Sequence, residues 1–211
     1  MAELDRDALA ARLRDGLETI GSSFPANAPE RLAALAELVA AWGQRINLSG
    51  HRSPEQIADR LILDAAALAA VLPAFESLAD LGSGAGFPGL PIAILYPEAE
   101  LVLVEAHRRR HHFQRAAVRE LQITNTRPLH GRIERLEPTP CSVALAQAVA
   151  PAVEAAELIR PWARPGGWLA IPAASDAPLP GFAAVHGQVR EVAYLVPGGL
   201  RRKLWLLERG S

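Results

Sequence analysis

The sequence predicts an α/β fold: a mostly parallel sheet with helices on its faces, closed by a C-terminal antiparallel hairpin and preceded by a helical segment. Three observations carry this expectation. From residue 74 onward, short apolar runs alternate with helical patterns, as βαβ units require. A glycine cluster, Gly82-Ser83-Gly84-Ala85-Gly86, stands directly after one apolar run and before a helical one. Residues 1–73 instead carry three helical patterns in a row. The chain therefore divides into a helical segment over 1–73, packed on the core, and a sheet domain over 74–211.

In the first segment, Leu4, Leu9, Leu13, Leu17 and Ile20 recur at helical spacing and stop near Gly21-Ser22-Ser23. Pro29 opens a second pattern through Leu32, Leu35, Leu38, Val39 and Trp42. Ser53 before Pro54 predicts a capped start for a third helix, through Ile57, Leu61, Ile62, Ala65, Leu68 and Val71, ending by Pro73. In the second segment the predicted strands are Leu78–Leu81, Leu101–Glu105, Thr126–His130, Val143–Ala146 and Trp168–Ile171. Helices fall between them at Pro88–Tyr96, Arg108–Leu121 and Ala152–Trp162. Val189–Val196 and Leu204–Glu208 flank Pro197-Gly198-Gly199 and predict the hairpin.

Composition removes several classes. With 22 Lys and Arg against 23 Asp and Glu, the net charge of −1 gives no global nucleic-acid signature. Cys141 is the single cysteine, so neither an intrachain disulfide nor a thiolate zinc cluster can form. No stretch approaches the ~18 uncharged apolar residues of a membrane span. The charged start, with Glu3, Asp5, Arg6, Asp7 and Arg12, is unlike a signal peptide. A cytoplasmic protein without membrane or metal partners is the expectation, and a monomer is its simplest form.

The glycine loop carries the chemistry. Glycines between a strand and a helix allow backbone N–H groups to approach a ligand. A second strand follows and ends in Glu105, about twenty residues past the glycines, where Rossmann-like folds grip ribose hydroxyls. A bare structural turn is the alternative. No Gly-Lys-Ser/Thr follows, which excludes a P-loop, whereas a dinucleotide dehydrogenase stays open. Two features favour S-adenosylmethionine. Asp80, two residues before the first glycine, can attract the cationic methionine end of that cofactor and would repel a pyrophosphate. Arg164-Pro165-Gly166-Gly167, between a helix and a strand, is a passage common in class I methyltransferases.

From about Trp42 to the end, the sequence resembles the bacterial family that makes 7-methylguanosine in small-subunit ribosomal RNA, also called glucose-inhibited division protein B. The most specific match is Gly82 through Gly86 continued by Phe87-Pro88-Gly89-Leu90-Pro91. Ile46-Asn47-Leu48-Ser49, then Arg52 and Pro54, and later Leu63-Asp64, are similar to family segments. The resemblance implies a class I methyltransferase sheet with S-adenosylmethionine as cofactor and small-subunit rRNA as partner. It implies that Gly82, Gly84 and Phe87 line the cofactor, with Glu105 on the ribose, Ile133 and Glu134 at the adenine, and Gln147 after the fourth strand. Asn47, Arg52, Arg60 and Arg202 would face RNA. Three positions depart from the family. Leu61 stands for a histidine, Gln147 for an arginine, and Pro172-Ala173 for Lys-Gly. Losing an arginine removes a charge and a bidentate phosphate fork.

Guanine N7 is an unprotonated lone pair, so its methylation needs no general base, and no catalytic residue is assigned. The Asn/Asp-Pro-Pro-Tyr/Phe segment of exocyclic-amine enzymes is absent, because Ala146-Gln147-Ala148-Val149 occupies that place. Cys141, at a strand entrance, reads as a small buried residue and not a nucleophile. His107-Arg108-Arg109-Arg110-His111-His112 reads equally as a plain surface or as a contact to RNA or the cofactor edge, and it lacks a third zinc ligand. Trp42, Trp162, Trp168 and Trp205 fall on apolar faces and predict core packing. The alternatives are a relative redirected to another base or a small molecule, and a cofactor- or RNA-binding protein without turnover.

Overall fold

The computed structural model describes residues 2–182 and 188–210, with side chains from residue 6 onward; the Leu4 side chain lies outside that set. Three helices lead the chain: α1 (Ala2–Ile20), α2 (Ala28–Gly43) and α3 (Pro54–Ile57). Ser53 caps α3, its Oγ accepting from Gln56 N–H at 3.2 Å. The expected single helix after Ser53 is interrupted, because Ala58–Ile62 winds as a π-turn before α4 (Leu63–Val71). Each wider turn rotates the following residues relative to a regular helix. The sequence repeat gives no sign of it.

Strand β1 (Ser77–Leu81) follows, then α5 (Gly89–Leu95), β2 (Glu100–Glu105), α6 (Arg108–Glu120), β3 (Thr126–His130), β4 (Cys141–Leu145), α7 (Ala152–Ile159), β5 (Ala163–Ala174), β6 (Val189–Val196) and β7 (Leu200–Glu208). The sheet order is β3-β2-β1-β4-β5-β7-β6. The first five strands are parallel, and β7 runs antiparallel to both β5 and β6. The order reverses between β1 and β4, the switch point at which open α/β sheets hold ligands. Pro128 lies in β3 at the outer edge, where its missing N–H breaks no ladder.

Two strands are longer than the apolar runs suggest. β7 begins at Leu200, so Arg201-Arg202-Lys203 lie inside it, not before it. The turn Pro197–Gly199 is short enough that pairing continues through Val196↔Leu200, and the ladder overrides the charge. β5 extends back to Ala163 through a register shift opposite Cys141 and Val143. It also runs forward to Ala174, past the last β4 pair at Leu145↔Ala170. Pro172 therefore has no β4 partner to lose.

Apolar side chains fill both faces of the sheet. One face packs Leu13, Leu17, Leu32 and Leu35 of the leading helices with Leu78, Leu101, Phe113 and Leu206. The other joins Trp162, Phe182 and Trp205 to Leu81, Val104 and Ile159. Trp42 and Trp168 are half-buried against the first cluster, the latter under the Arg190 guanidinium at 4.7 Å. Cys141 is buried, and burial pushes its thiol pKa up, as expected for an inert position. No helix among the described residues is long and apolar enough to cross a membrane.

Candidate cofactor and active site

β1 ends at Leu81, and residues 82–88 turn immediately toward α5. Gly82 and Ser83 donate their N–H groups to Val104 O at 2.9 and 3.0 Å, tying the turn to β2. Gly86 and Phe87 donate to Ser83 O at 2.7 and 2.9 Å. At Gly84 φ is +58°, a Cβ would point into open space, and the N–H has no acceptor among the described residues. The loop thus offers a notch and a free donor at the C-terminal edge of the sheet. Gly89 is fixed by close approach instead. A Cβ there would lie 2.2 Å from Leu103 Cδ2 and 2.8 Å from Asp80 Oδ2.

That contact gives Asp80 a role the sequence does not announce. Its carboxylate is buried, and Oδ2 accepts from Gly89 N–H at 2.9 Å, so one oxygen holds the start of α5. Burial pushes its pKa up to about 7; the Gly89 N–H opposes the rise and the Glu105 charge adds to it. Glu105 is also buried, at the tip of β2, and its Oε1 accepts from His107 N–H at 2.6 Å. Gln114, outside the sequence reading, and the Ser83 hydroxyl of the glycine cluster complete the loop's support. Gln114 of α6, fully buried, donates from Nε2 to Ser83 Oγ and to Gly84 O, both at 2.8 Å. Ser83 Oγ in turn donates to Val104 O at 3.3 Å. A glutamine on an otherwise amphipathic helix carries no signal of a partner 30 positions away.

The other expected site residues flank this loop. Phe87 is half-buried against the core. Ile133 and Glu134 form a short 3₁₀ turn after β3, the first half-buried and the second exposed. Beyond β4, Gln147 is half-buried and Ala148 adopts φ +56°. Gln147, Pro172, Tyr194 and Arg202 line one cleft of about 240 Å³. Arg202 is held there by Asp64 of α4, Nη2 to Oδ2 at 3.1 Å. Burial raises the pKa of Asp64, and the Arg202 charge opposes it. Tyr194 is raised by burial and then by the Asp64 charge. The expected RNA-facing residues do not all converge on this cleft. Arg60 is exposed in a separate depression with Arg12, Asp59 and Pro197. Arg52 donates to Gly43 O, bracing the loop after α2, and the exposed Asn47 meets Arg110 Nε through its backbone carbonyl at 3.5 Å.

The residues present fit an adenosine-bearing sulfonium cofactor. The Gly84 notch admits backbone approach, Glu105 is an oriented acid at the tip of β2, and Ile133 supplies an apolar surface beyond β3. No group of three metal-binding side chains occurs among the described residues.

Residues 28–177 match the family described as rRNA small subunit methyltransferase G. A ribosomal RNA small subunit methyltransferase G from Chromohalobacter salexigens is 39% identical over 165 residues, 78% of this chain and 79% of the relative. One from an Azoarcus species is 38% identical over 140 residues, 66% of each chain. Among solved structures, M. jannaschii TYW2 in complex with AdoMet aligns with a TM-score of 0.60 and 13% identity, over 80% of both chains. Cofactor-bound Rv0187 from MTB aligns with a TM-score of 0.55 and 15% identity, over 85% of this chain and 90% of that one. The fold is thus that of the S-adenosylmethionine-dependent methyltransferases. By its sequence, the chain belongs to the rRNA small subunit methyltransferase G family.

Proposed function

We propose that this protein transfers a methyl group from S-adenosylmethionine to N7 of a guanine in small-subunit rRNA. The observation that carries the reading is the notch at Gly84, with its free N–H, standing at the switch point beside the oriented Glu105 carboxylate. When bound, the cofactor supplies an electrophilic methyl on a sulfonium. The chain's own residues then bind and orient. Gly82, Gly84 and Phe87 shape the cofactor's bed, and Glu105 has Oε2 left for the ribose hydroxyls, since Oε1 is engaged by His107. Ile133 and Glu134 bound the adenine side, and Gln147 marks the passage to the cleft where the base would enter.

In that cleft Arg202, braced by Asp64, is the cation best placed to meet RNA, with Asn47, Arg52 and Arg60 farther out on the rim. Methyl transfer is an in-line displacement, so holding the base in line supplies much of the rate. N7 attacks through its lone pair, and no proton must leave first. That agrees with a cleft in which burial raises the Tyr194 phenol pKa, so the phenol stays protonated and offers no base. The reading implies a cytoplasmic protein acting as a monomer. Mass spectrometry of rRNA nucleosides from a deletion strain tests it. Loss of one 7-methylguanosine, restored by the wild-type chain, is expected, and an unchanged nucleoside profile would overturn it.

A second reading has one specific observation behind it. Where the resemblance implies an arginine and a lysine, the cleft presents the uncharged Gln147 and Pro172 among alanines, a lining that suits another base or a smaller acceptor. Labelled methyl appearing in a metabolite pool, and not in RNA, would select it.

A further inference from the structure

The run His107–His112 caps and opens α6 beside the cofactor loop, and apart from the His107 backbone N–H on Glu105 the transfer chemistry makes no use of it. With α2 and the end of β3 it forms a groove of about 610 Å³, lined by Trp42, Arg108, Arg109, His112, Arg115 and His130, among others. Among the described residues, no carboxylate lines it. Exposed arginines of the leading helix are neutralised locally: Arg6 by Glu37, Arg12 by Asp59, Arg14 by Glu30. Arg108, Arg109 and Arg115 are exposed too, yet among the described residues none has a carboxylate partner. In a chain of net charge −1, this is a local concentration of cations and not a general excess. Aromatic rings share the groove. His111 stacks on His130 at 5.1 Å and 29°, and the exposed His112 lies 5.7 Å from Trp42.

We propose that this groove docks the sugar–phosphate backbone of an unpaired RNA stretch flanking the target base. The inference rests on the RNA methyltransferase reading and names a surface for it. Unpaired guanidinium forks match phosphate geometry, and ring faces beside them match bases splayed from a helix. His130 ends β3 and His107 follows Glu105, so the groove shares the sheet edge that carries the cofactor loop. RNA held here would reach across that edge toward the cleft at Gln147.

The test measures binding of a labelled single-stranded RNA over a salt series, with S-adenosylhomocysteine present, for wild type and an Arg108→Ala/Arg109→Ala/Arg115→Ala variant. The variant is expected to bind at least ~10-fold more weakly, with a salt slope shallower by about 2, since three single-strand phosphate contacts are lost. Its affinity for S-adenosylhomocysteine by calorimetry should be unchanged, and the three Arg→Lys replacements should retain most of the slope. An unchanged slope in the alanine variant overturns the proposal while wild-type methylation of rRNA keeps the functional reading. A wild type that methylates no RNA, yet loses its slope in the variant, overturns the reading and leaves the groove. Equal binding of phosphatidylglycerol vesicles would overturn RNA as the partner.

Discussion

Asp80, next to last in β1, and Glu105, last in β2, are two buried carboxylates, and each has one oxygen fixed by a backbone N–H. Burial strips water from the Asp80 carboxylate, and this, more than the neighbouring Glu105 charge, pushes its pKa up to about 7 from an ordinary 3.8. A carboxyl raised on folding contributes stability that is full below its unfolded pKa and is lost as pH rises through the folded one. The ligand-free protein is therefore expected to lose stability between pH ~4 and ~7, by ~4 kcal/mol at most from this group. Asp80→Asn should flatten that part of the profile, measured by urea melts at several pH values; an unaltered slope would refute the assignment. At Gly84, valine would force a β-branched residue into φ +58° and fill the notch. About 1–2 kcal/mol of backbone strain is expected. The larger effect should be on cofactor affinity, read by calorimetry as a loss of heat on adding S-adenosylhomocysteine to a protein that still melts cooperatively. The places of Gly84 in a strand-to-helix loop and of Glu105 at a strand tip were legible in the sequence, because a strand, glycines, a helix, a strand and an acid occur in a fixed order. Ser83 and Gln114 were not, since their bond depends on how α6 lies over the loop. Gln114→Leu tests that support. It removes both donors and also an Oε1 that has no partner, so stability should move by less than ~2 kcal/mol in either direction. Cofactor affinity should fall, because Gly84 O and Ser83 Oγ lose the donor that fixes the loop.

Elements meet across long sequence separations where the loop's neighbours are built. Asp64 in α4 and Arg202 in β7 are 138 positions apart, and their bond ties the leading helices to the closing hairpin beside the cleft. The two side chains are 11% and 30% exposed, so the pair is more than a surface contact and less than a sealed one. Asp64→Ala should cost about 1–3 kcal/mol, chiefly by leaving Arg202 without its counter-charge. The double variant with Arg202→Leu should recover part of that loss. Additive losses in a double-mutant cycle of urea melts would show that the bond couples nothing. Parallel strands were legible because each buried one is a continuous apolar run, as in Leu101–Glu105 and Val143–Ala146. Those of β5 and β7 were only half legible. Residues 163–167 and 200–203 are polar or glycine-rich, and they join the sheet because neighbouring strands pair with them. The π-turn at Ala58–Ile62 falls in a segment whose apolar spacing fits a regular helix as well.

Across the whole molecule, the boundary near residue 73 separates two kinds of sequence but not two cores. Leu9, Leu13, Leu17, Leu32 and Leu35 are buried in the same cluster as Leu78, Leu101, Leu103 and Leu206, so the leading helices cover one face of the sheet. Removing them would expose that face, and burial of each large aliphatic side chain is worth about 1.5–3 kcal/mol. Net stabilities of single domains are only about 5–15 kcal/mol, so five such residues are worth about as much as the whole net stability, and residues 74–211 alone should not fold stably. We predict one cooperative unit. Trp42 reports on the helical part, and Trp162 and Trp205 on the opposite face of the sheet. Urea melts of variants retaining only one of these tryptophans should share a midpoint and slope, within the shift each replacement itself causes. A fragment over 74–211 should show no cooperative transition. Separate midpoints, or a fragment that melts cooperatively, would make the helical segment an appendage whose loss leaves the cofactor loop standing. Coincident melts would instead mean that a substitution in α1 or α2, far from any ligand, weakens the Gly84 notch by lowering the fraction of molecules in which it exists.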